Sequence, residues 1–367
     1  MEIFNAAKHT VADVVTSLDK EGREHLVIII KATYRFPLRD RGVVRPILPP
    51  QPLVVSDIYT AEAGESAVLY EADYVRYKAK CDVLFDAQAH IPEGKEDYRV
   101  CIKAKVGEMD KDIKVTGDRF WRRRGAGWSA SKPTTFTSIP LNYEYAFGGV
   151  RRIDKNGDEA IDCFKTNLVG TGYSNLKNDD LDGYRLPNLE ALSQTLQKPN
   201  QRIEPLALSV RPRNHPKRQP YAGTYDEKWR KEIFPFLPAD FDEFYFQSAP
   251  PDQQIDFPLG GEAVVLMNMH PEKEYIEFHL PRMDNIPVRI LKTNYQAIEL
   301  MPHADTLYFE PDAERFSVVW RASVPIQKRI QEFHTVAIGP VGKVWWHNRT
   351  LGSDSCFTCR NSAEGEK

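Results

Sequence analysis

Residues 26–36 read Leu26-Val27-Ile28-Ile29-Ile30-Lys31-Ala32-Thr33-Tyr34-Arg35-Phe36. Successive side chains of an extended chain point to opposite faces, so Leu26, Ile28, Ile30, Ala32, Tyr34 and Phe36 share one of them. The other face begins apolar with Val27 and Ile29 and turns polar at Lys31, Thr33 and Arg35. This alternation predicts a strand that leaves a covered region and ends half exposed. Asp19-Lys20-Glu21-Gly22 before it and Arg39-Asp40-Arg41-Gly42 after it have the composition of hairpin connections.

The same pattern recurs outward from this stretch. Tyr98, Val100, Ile102, Ala104 and Val106 alternate with Arg99, Cys101, Lys103 and Lys105. Near the other end, Ile276, Phe278 and Leu280 alternate with Glu277 and His279, and Phe316, Val318 and Trp320 with Ser317, Val319 and Arg321. The 26 prolines break helices and punctuate short elements. The expected fold is mainly β, with sandwich or barrel-like sheets. It carries a loop region rich in Gly, Pro and aromatics, and a few short helices.

Three regions are expected: a β region over 1–116, a motif-dense loop and short-helix region over 117–260 packed on the sheets, and a second β region over 261–360. They would form one unit or two intimately packed β subdomains. In the middle region, Thr224-Tyr225-Asp226-Glu227 reads as a capping box opening a helix. Tyr225, Trp229 and Ile233 would line one face of that helix, and Pro235 would end it. Asn188 would cap a second short helix bearing Leu189, Leu192 and Leu196.

A formal net charge of -3 argues against a dedicated nucleic-acid binder, which needs a basic excess. No signal-peptide pattern opens the chain, and no apolar run reaches the ~18 residues of a membrane span. A cytoplasmic location is therefore expected. Five cysteines in 367 residues fit reduced thiols in a cytosol rather than a disulfide scaffold.

The chemistry-bearing motifs are sparse. Cys356-Phe357-Thr358-Cys359 lacks the second ligand pair of a structural zinc site, so no metal or cofactor is expected. Asp154, Asn156 and Asp158 start like a calcium loop, but Glu159 and Lys165 stand where Gly and the bidentate Glu belong. Asp240, Asp242, Glu243, Asp252 and Glu262 are the raw material for acid–base work, with loop capping as the plainer reading. Two basic clusters are candidate partner contacts. Arg122, Arg123 and Arg124 lie with Trp128 on a predicted hairpin tip, and Arg211, Arg213, Lys217 and Arg218 lie on a proline-stiffened segment.

The middle region also carries an ordered motif series. It runs Gly117-Asp118-Arg119-Phe120-Trp121, Tyr145-Ala146-Phe147-Gly148-Gly149, Asn167-Leu168-Val169-Gly170-Thr171-Gly172, and Leu186-Pro187-Asn188-Leu189-Glu190. Ile139-Pro140-Leu141 stands before Tyr145. Ala222-Gly223-Thr224-Tyr225-Asp226 with Trp229, Phe236-Leu237-Pro238-Ala239-Asp240-Phe241-Asp242, Ala249-Pro250-Pro251-Asp252-Gln253-Gln254, Gly261-Glu262 and Leu280-Pro281 complete the series. This series resembles the bacterial family catalogued as domain of unknown function 2169, over roughly residues 5–290. Many members continue into pentapeptide repeats; this chain ends instead in further β-like sequence with Trp345-Trp346.

The resemblance implies an accessory role in type VI secretion. That role is a cytosolic adaptor or chaperone that binds an effector and helps load it on a PAAR or VgrG spike, with no catalytic residues. The motif residues themselves are expected to maintain the fold, with core positions favoured for Trp121, Phe147 and Trp229. The rival readings are a carboxylate-dependent hydrolase of glycans or peptides and an immunity protein that blocks a toxin.

Overall fold

Glu24–Arg35 forms a strand whose two faces are both covered. The Asp19–Gly22 turn returns the chain from Thr10–Leu18, an antiparallel neighbour in unbroken register from Thr10↔Ala32 to Leu18↔Glu24. On its other side Arg315–Pro325 pairs along its whole length, from Arg315↔Arg35 to Pro325↔His25. His303–Glu310, Cys81–Phe85 and Gln254–Ile255 extend this sheet outward, and Arg45–Pro46 pairs back on Tyr34 and Arg35. The computed structural model describes residues 1–37, 42–92, 95–155, 158–175 and 181–351, with the backbone alone over 152–160. The Arg39–Arg41 turn and the Cys356–Cys359 pair lie outside the described residues, as does Asn156-Gly157 between two paired strands.

Two further sheets stand against the first. One is five-stranded, in the order Leu189–Glu190, Met109–Thr116, Arg99–Val106, Ala263–Met267, Tyr275–His279. The other is four-stranded, in the order Glu2–Asn5, Phe333–Ile338, Val288–Lys292, Ala297–Leu300. Strands from 1–116 and from 261–360 sit side by side in all three sheets. The protein is mainly β, and its sheets are open rather than closed barrels. Ile28, Ile30 and Ala32 share one core with Ile102 and Ile113 of the second sheet and Ile290 and Val336 of the third. Phe36 and Phe278 bring their ring centroids to 5.2 Å across that core.

On the second face of Glu24–Arg35 the end is exposed at Arg35 as expected, but Lys31 and Thr33, expected to be exposed too, are not. Lys31 is buried and donates to Asp73 at 2.9 Å. Thr33 is also buried, sharing a hydrogen bond with Ser317 and accepting from the Gln51 amide. Polar residues on this face are covered because residues 47–80 lie over it and supply their partners. Alternation of polar and apolar side chains reports sheet faces, but burial depends on what another segment lays across them.

Three helix expectations also change. Asn188 caps nothing: it is buried, and its amide donates to the Thr116 carbonyl and to Asp118. Leu189–Glu190 consequently joins a sheet beside Val115 and Lys114. The helix Glu227–Glu232 is capped by Asp226, which accepts from the Trp229 amide at 2.7 Å, while Thr224 donates to Asp240. Trp345 and Trp346, expected in β-like sequence, lie on the helix Lys343–Thr350.

Candidate functional site

Most motif residues hold loops to sheets. Arg185 bridges Asp118 at 2.7 Å and Asn188 at 3.0 Å. Arg119 reaches the Pro187 carbonyl and the buried Glu190. Asn167 donates to the Tyr143 and Phe147 carbonyls, and the strands Phe147–Gly148 and Thr171–Gly172 pair beside it. At Gly172 (φ +93°) a β-carbon would lie 2.5 Å from the Pro187 ring, so only glycine fits this joint. Gly170 is packed equally tightly, against the Asn167 amide. Gln253 is buried, accepting from Lys111 and donating to the Val83 and Leu208 carbonyls. Trp121 and Phe147 are fully buried.

The two basic clusters part company. Trp121–Arg124 pairs with Gly127–Ala130, and Gly125 (φ +58°) makes the turn between them. Arg122, Arg123 and Arg124 are exposed on this tip, with Asp182 at 3.4 Å from Arg122 and Trp128 half-buried beneath. The 211–218 cluster is not the cation-presenting strip that its sequence suggests. Arg211 and Arg218 are buried. Arg218 donates to Glu71 and to the Arg211 and Tyr245 carbonyls. Arg213 makes a two-pronged ion pair with Asp57. Only Lys217, paired with Glu204, stays at the surface. Buried guanidiniums need internal acceptors, and these are spent on them.

His215 of this segment is also buried, and its Nδ1 accepts from the Lys217 amide. Burial, aided by the positive charges of Arg211 and Lys217, holds its pKa down at about 4. A depressed histidine pKa means that the unfolded chain takes up a proton that the folded chain refuses. The stability is therefore present at neutral pH and is lost as pH falls from 6.5 towards 4. Urea unfolding at pH 7 and pH 4.5 should show a loss about 2–3 kcal/mol larger for the parent than for His215→Gln. Equal losses in both proteins would refute this role for His215.

The five carboxylates do not converge. Asp240 accepts from Thr224 and Asp242 caps a short 3-10 turn. Glu243 pairs with Arg76, Asp252 with Lys111, and Glu262 accepts from the Leu259 and Gly260 amides. Burial raises the Glu243 pKa, and Arg76 opposes that shift. Among the described residues no three His, Cys, Asp or Glu side chains cluster as a metal site.

The feature that sequence reading missed is an aromatic lobe over residues 219–246. Trp229, expected in the core, is only half-buried and belongs to a surface cluster. Its ring meets Tyr225 at 4.7 Å and Phe234 at 5.6 Å, both edge-on, and its Nε1 donates to the Phe236 carbonyl. Tyr225, Phe234 and Phe236 are 54%, 66% and 44% exposed. Tyr221 and Phe244, also exposed, meet at 5.8 Å. Phe236 rests on Gly22 of the hairpin turn, where a β-carbon would lie 3.0 Å from its ring. One signal was present in the sequence: Pro235 and Pro238 flank Phe236 and stop any strand or helix that could carry it inward.

Residues 21–321 match the model of a family described as "Uncharacterized protein conserved in bacteria (DUF2169)". Searches of curated proteins and of solved structures return no match.

Proposed function

The chain belongs to the DUF2169 family of bacterial proteins, and from that premise we propose that it is a non-catalytic adaptor that binds a protein partner through the 219–246 lobe. The carrying observation is the exposure of Tyr225, Phe234 and Phe236 in a cluster fixed by ring contacts and a tryptophan hydrogen bond. Contiguous exposed apolar surface of this kind marks interaction sites. Rigid aromatics lose little conformational entropy on docking and are common interface anchors.

The partner proposed is a type VI secretion effector, which the adaptor stabilises and helps load on a PAAR or VgrG spike in the cytoplasm. This part of the reading rests on the resemblance carried by the ordered motifs from Gly117 to Pro281. The exposed Arg122–Arg124 tip would supply a second contact, to an acidic surface. Nucleic acid and membrane are not proposed as partners; no helix of the described chain is long and apolar enough to cross a bilayer.

The test is co-purification of this chain with the effector and spike proteins encoded beside its gene. The triple variant Tyr225→Ser/Phe234→Ser/Phe236→Ser should lose at least about tenfold in affinity, the equivalent of about 1.4 kcal/mol. Its main thermal transition should stay close to that of the parent, because none of the three residues is in a buried core and the loss of Trp229's two ring partners loosens only the lobe. If the parent captures neither effector nor spike, the secretion role fails. If the triple variant captures them as well as the parent does, the lobe is not the contact surface.

A further inference from the structure

Two segments singled out by sequence for different reasons, Asn167-Leu168-Val169 and Pro212-Arg213-Asn214-His215, wall the same cavity. The third wall is the stretch from Asp57 to Val68, and the enclosed volume is about 250 Å³. Its lining is mainly apolar, with Tyr59, Val68, Leu168, Val169 and Val210 prominent. Gly64, Lys165 and Asn214 are exposed lining residues, and they mark the mouth.

The polar groups on its walls restrict what it can hold. Arg213 and Asp57 neutralise each other, so this pair offers no uncompensated charge to an ion, and the remaining lining cation, Lys165, stands exposed at the mouth. The Lys217 amide occupies His215 Nδ1, which leaves the proton on Nε2. His215 is 5% exposed and neutral at physiological pH. Thr166 Oγ1, also on the wall, is buried without a hydrogen-bond partner among the described residues. A buried hydroxyl without a partner, as at Thr166, is uncommon in folded proteins and points to a ligand group or a bridging water. An apolar cavity of about 150 Å³ already accommodates a benzene ring, so this one has room for a substituted ring.

We propose that this cavity binds one uncharged aromatic group that bears a hydrogen-bonding oxygen, as a phenol does. The ring fills the apolar walls and its oxygen accepts from His215 Nε2–H. A carboxylate-bearing ring is disfavoured, because its charge would shed hydration inside a cavity whose Arg213 is already paired and whose Lys165 stays exposed at the mouth. The same chemistry is available from a free phenolic compound or from a tyrosine side chain of a polypeptide. The site does not depend on the adaptor reading, since its test uses this chain alone.

The experiment titrates the 367-residue chain with 4-methylphenol and with N-acetyl-tyrosine amide, read by saturation-transfer NMR and by the His215 ring resonances. 4-Methylbenzoate is the charged control. Saturable binding of 4-methylphenol is expected with a Kd of about 1 mM or tighter, with the His215 signals shifting along the same isotherm. Leu168→Trp, a half-buried position at the wall that tolerates a larger side chain, should weaken binding at least tenfold. Thr166→Val, nearly isosteric, should weaken it several-fold and serves if the tryptophan variant fails to fold. Binding of N-acetyl-tyrosine amide as well would assign the site to a polypeptide side chain, and binding of 4-methylphenol alone to a small molecule; both support the proposal. It is overturned if neither phenol binds saturably, if 4-methylbenzoate binds as well as 4-methylphenol, or if binding leaves the His215 signals unmoved.

Discussion

Asp82→Ala is expected to destabilise the protein by about 3–5 kcal/mol, the cost of breaking a buried ion pair from one side. Asp82 is fully buried on Cys81–Phe85, the strand beside His303–Glu310 in the largest sheet. One oxygen accepts from Lys78 at 2.7 Å and from the Ser248 amide and hydroxyl. The other accepts from Gln247 and the Ala249 amide. The variant would leave Lys78, itself buried, hydrogen-bonded to Thr306 alone, with Glu71 and Asp305 as its remaining nearby carboxylates. It would also strip Ser248, Ala249 and one side-chain amide hydrogen of Gln247 of their acceptor on the sheet. Buried donors stripped of an acceptor carry their full desolvation cost. Equilibrium urea unfolding measures the change. A loss below 1 kcal/mol would mean that the 247–249 loop is held by other contacts. Lys78→Met combined with Asp82→Leu should recover much of the stability, because removing both charges removes the desolvation term as well.

That layer of buried charge shows where the sequence was legible and where it was not. The alternation in residues 26–36 and 98–106 located strands and their core faces, because a side chain's face follows from chain periodicity alone. What covers the second face does not. Lys31, Thr33 and Arg321 carry the signature of exposed positions, yet each is buried against Asp73, Ser317 or Asp305. Those partners are 42, 284 and 16 residues away in sequence, so no local pattern announces them. The 211–218 cluster misled for the same reason: its acceptors, Glu71 and Asp57, lie some 150 positions upstream. Asn188 and Thr224 looked like helix caps because their local spacing fits a cap, but long-range acceptors claimed both side chains.

The aromatic lobe fails in the opposite direction. Trp229 at helical spacing from Tyr225 and Ile233 reads as a core face, and in most helices it would be one. This helix spans only Glu227–Glu232 and buries no residue, too little length to dock a stripe of side chains. The aromatics therefore pack on each other at the surface. Such a cluster survives only if its own contacts hold it, which the edge-on pairs of Trp229 and its hydrogen bond to Phe236 provide.

Trp121→Ala carries the other large expected effect, about 3–5 kcal/mol for loss of a fully buried tryptophan. The residue belongs to a small core of its own, with Phe147, Tyr173, Leu181, Leu186, Leu196 and Ile203, apart from the main inter-sheet core. Its backbone is tied to Tyr184 and Gly183, so the damage should stay in this subunit of the fold. Amide exchange should accelerate across 121–130 and 181–190 and remain slow across 26–36, the pattern of local rather than global opening. The indole Nε1 has no hydrogen-bond partner among the described residues, so the tryptophan acts by packing and Trp121→Phe should cost markedly less. Arg122→Glu/Arg123→Glu/Arg124→Glu on the same hairpin should change stability by no more than about 0.5 kcal/mol per site, since all three are exposed. The pair of variants separates two roles that the sequence had merged in one motif. If the arginine triple loses partner binding at unchanged stability, the tip is a contact surface. If only Trp121→Ala does so, the motif serves the fold alone, and uniform exchange across the chain in that variant would refute the separate core.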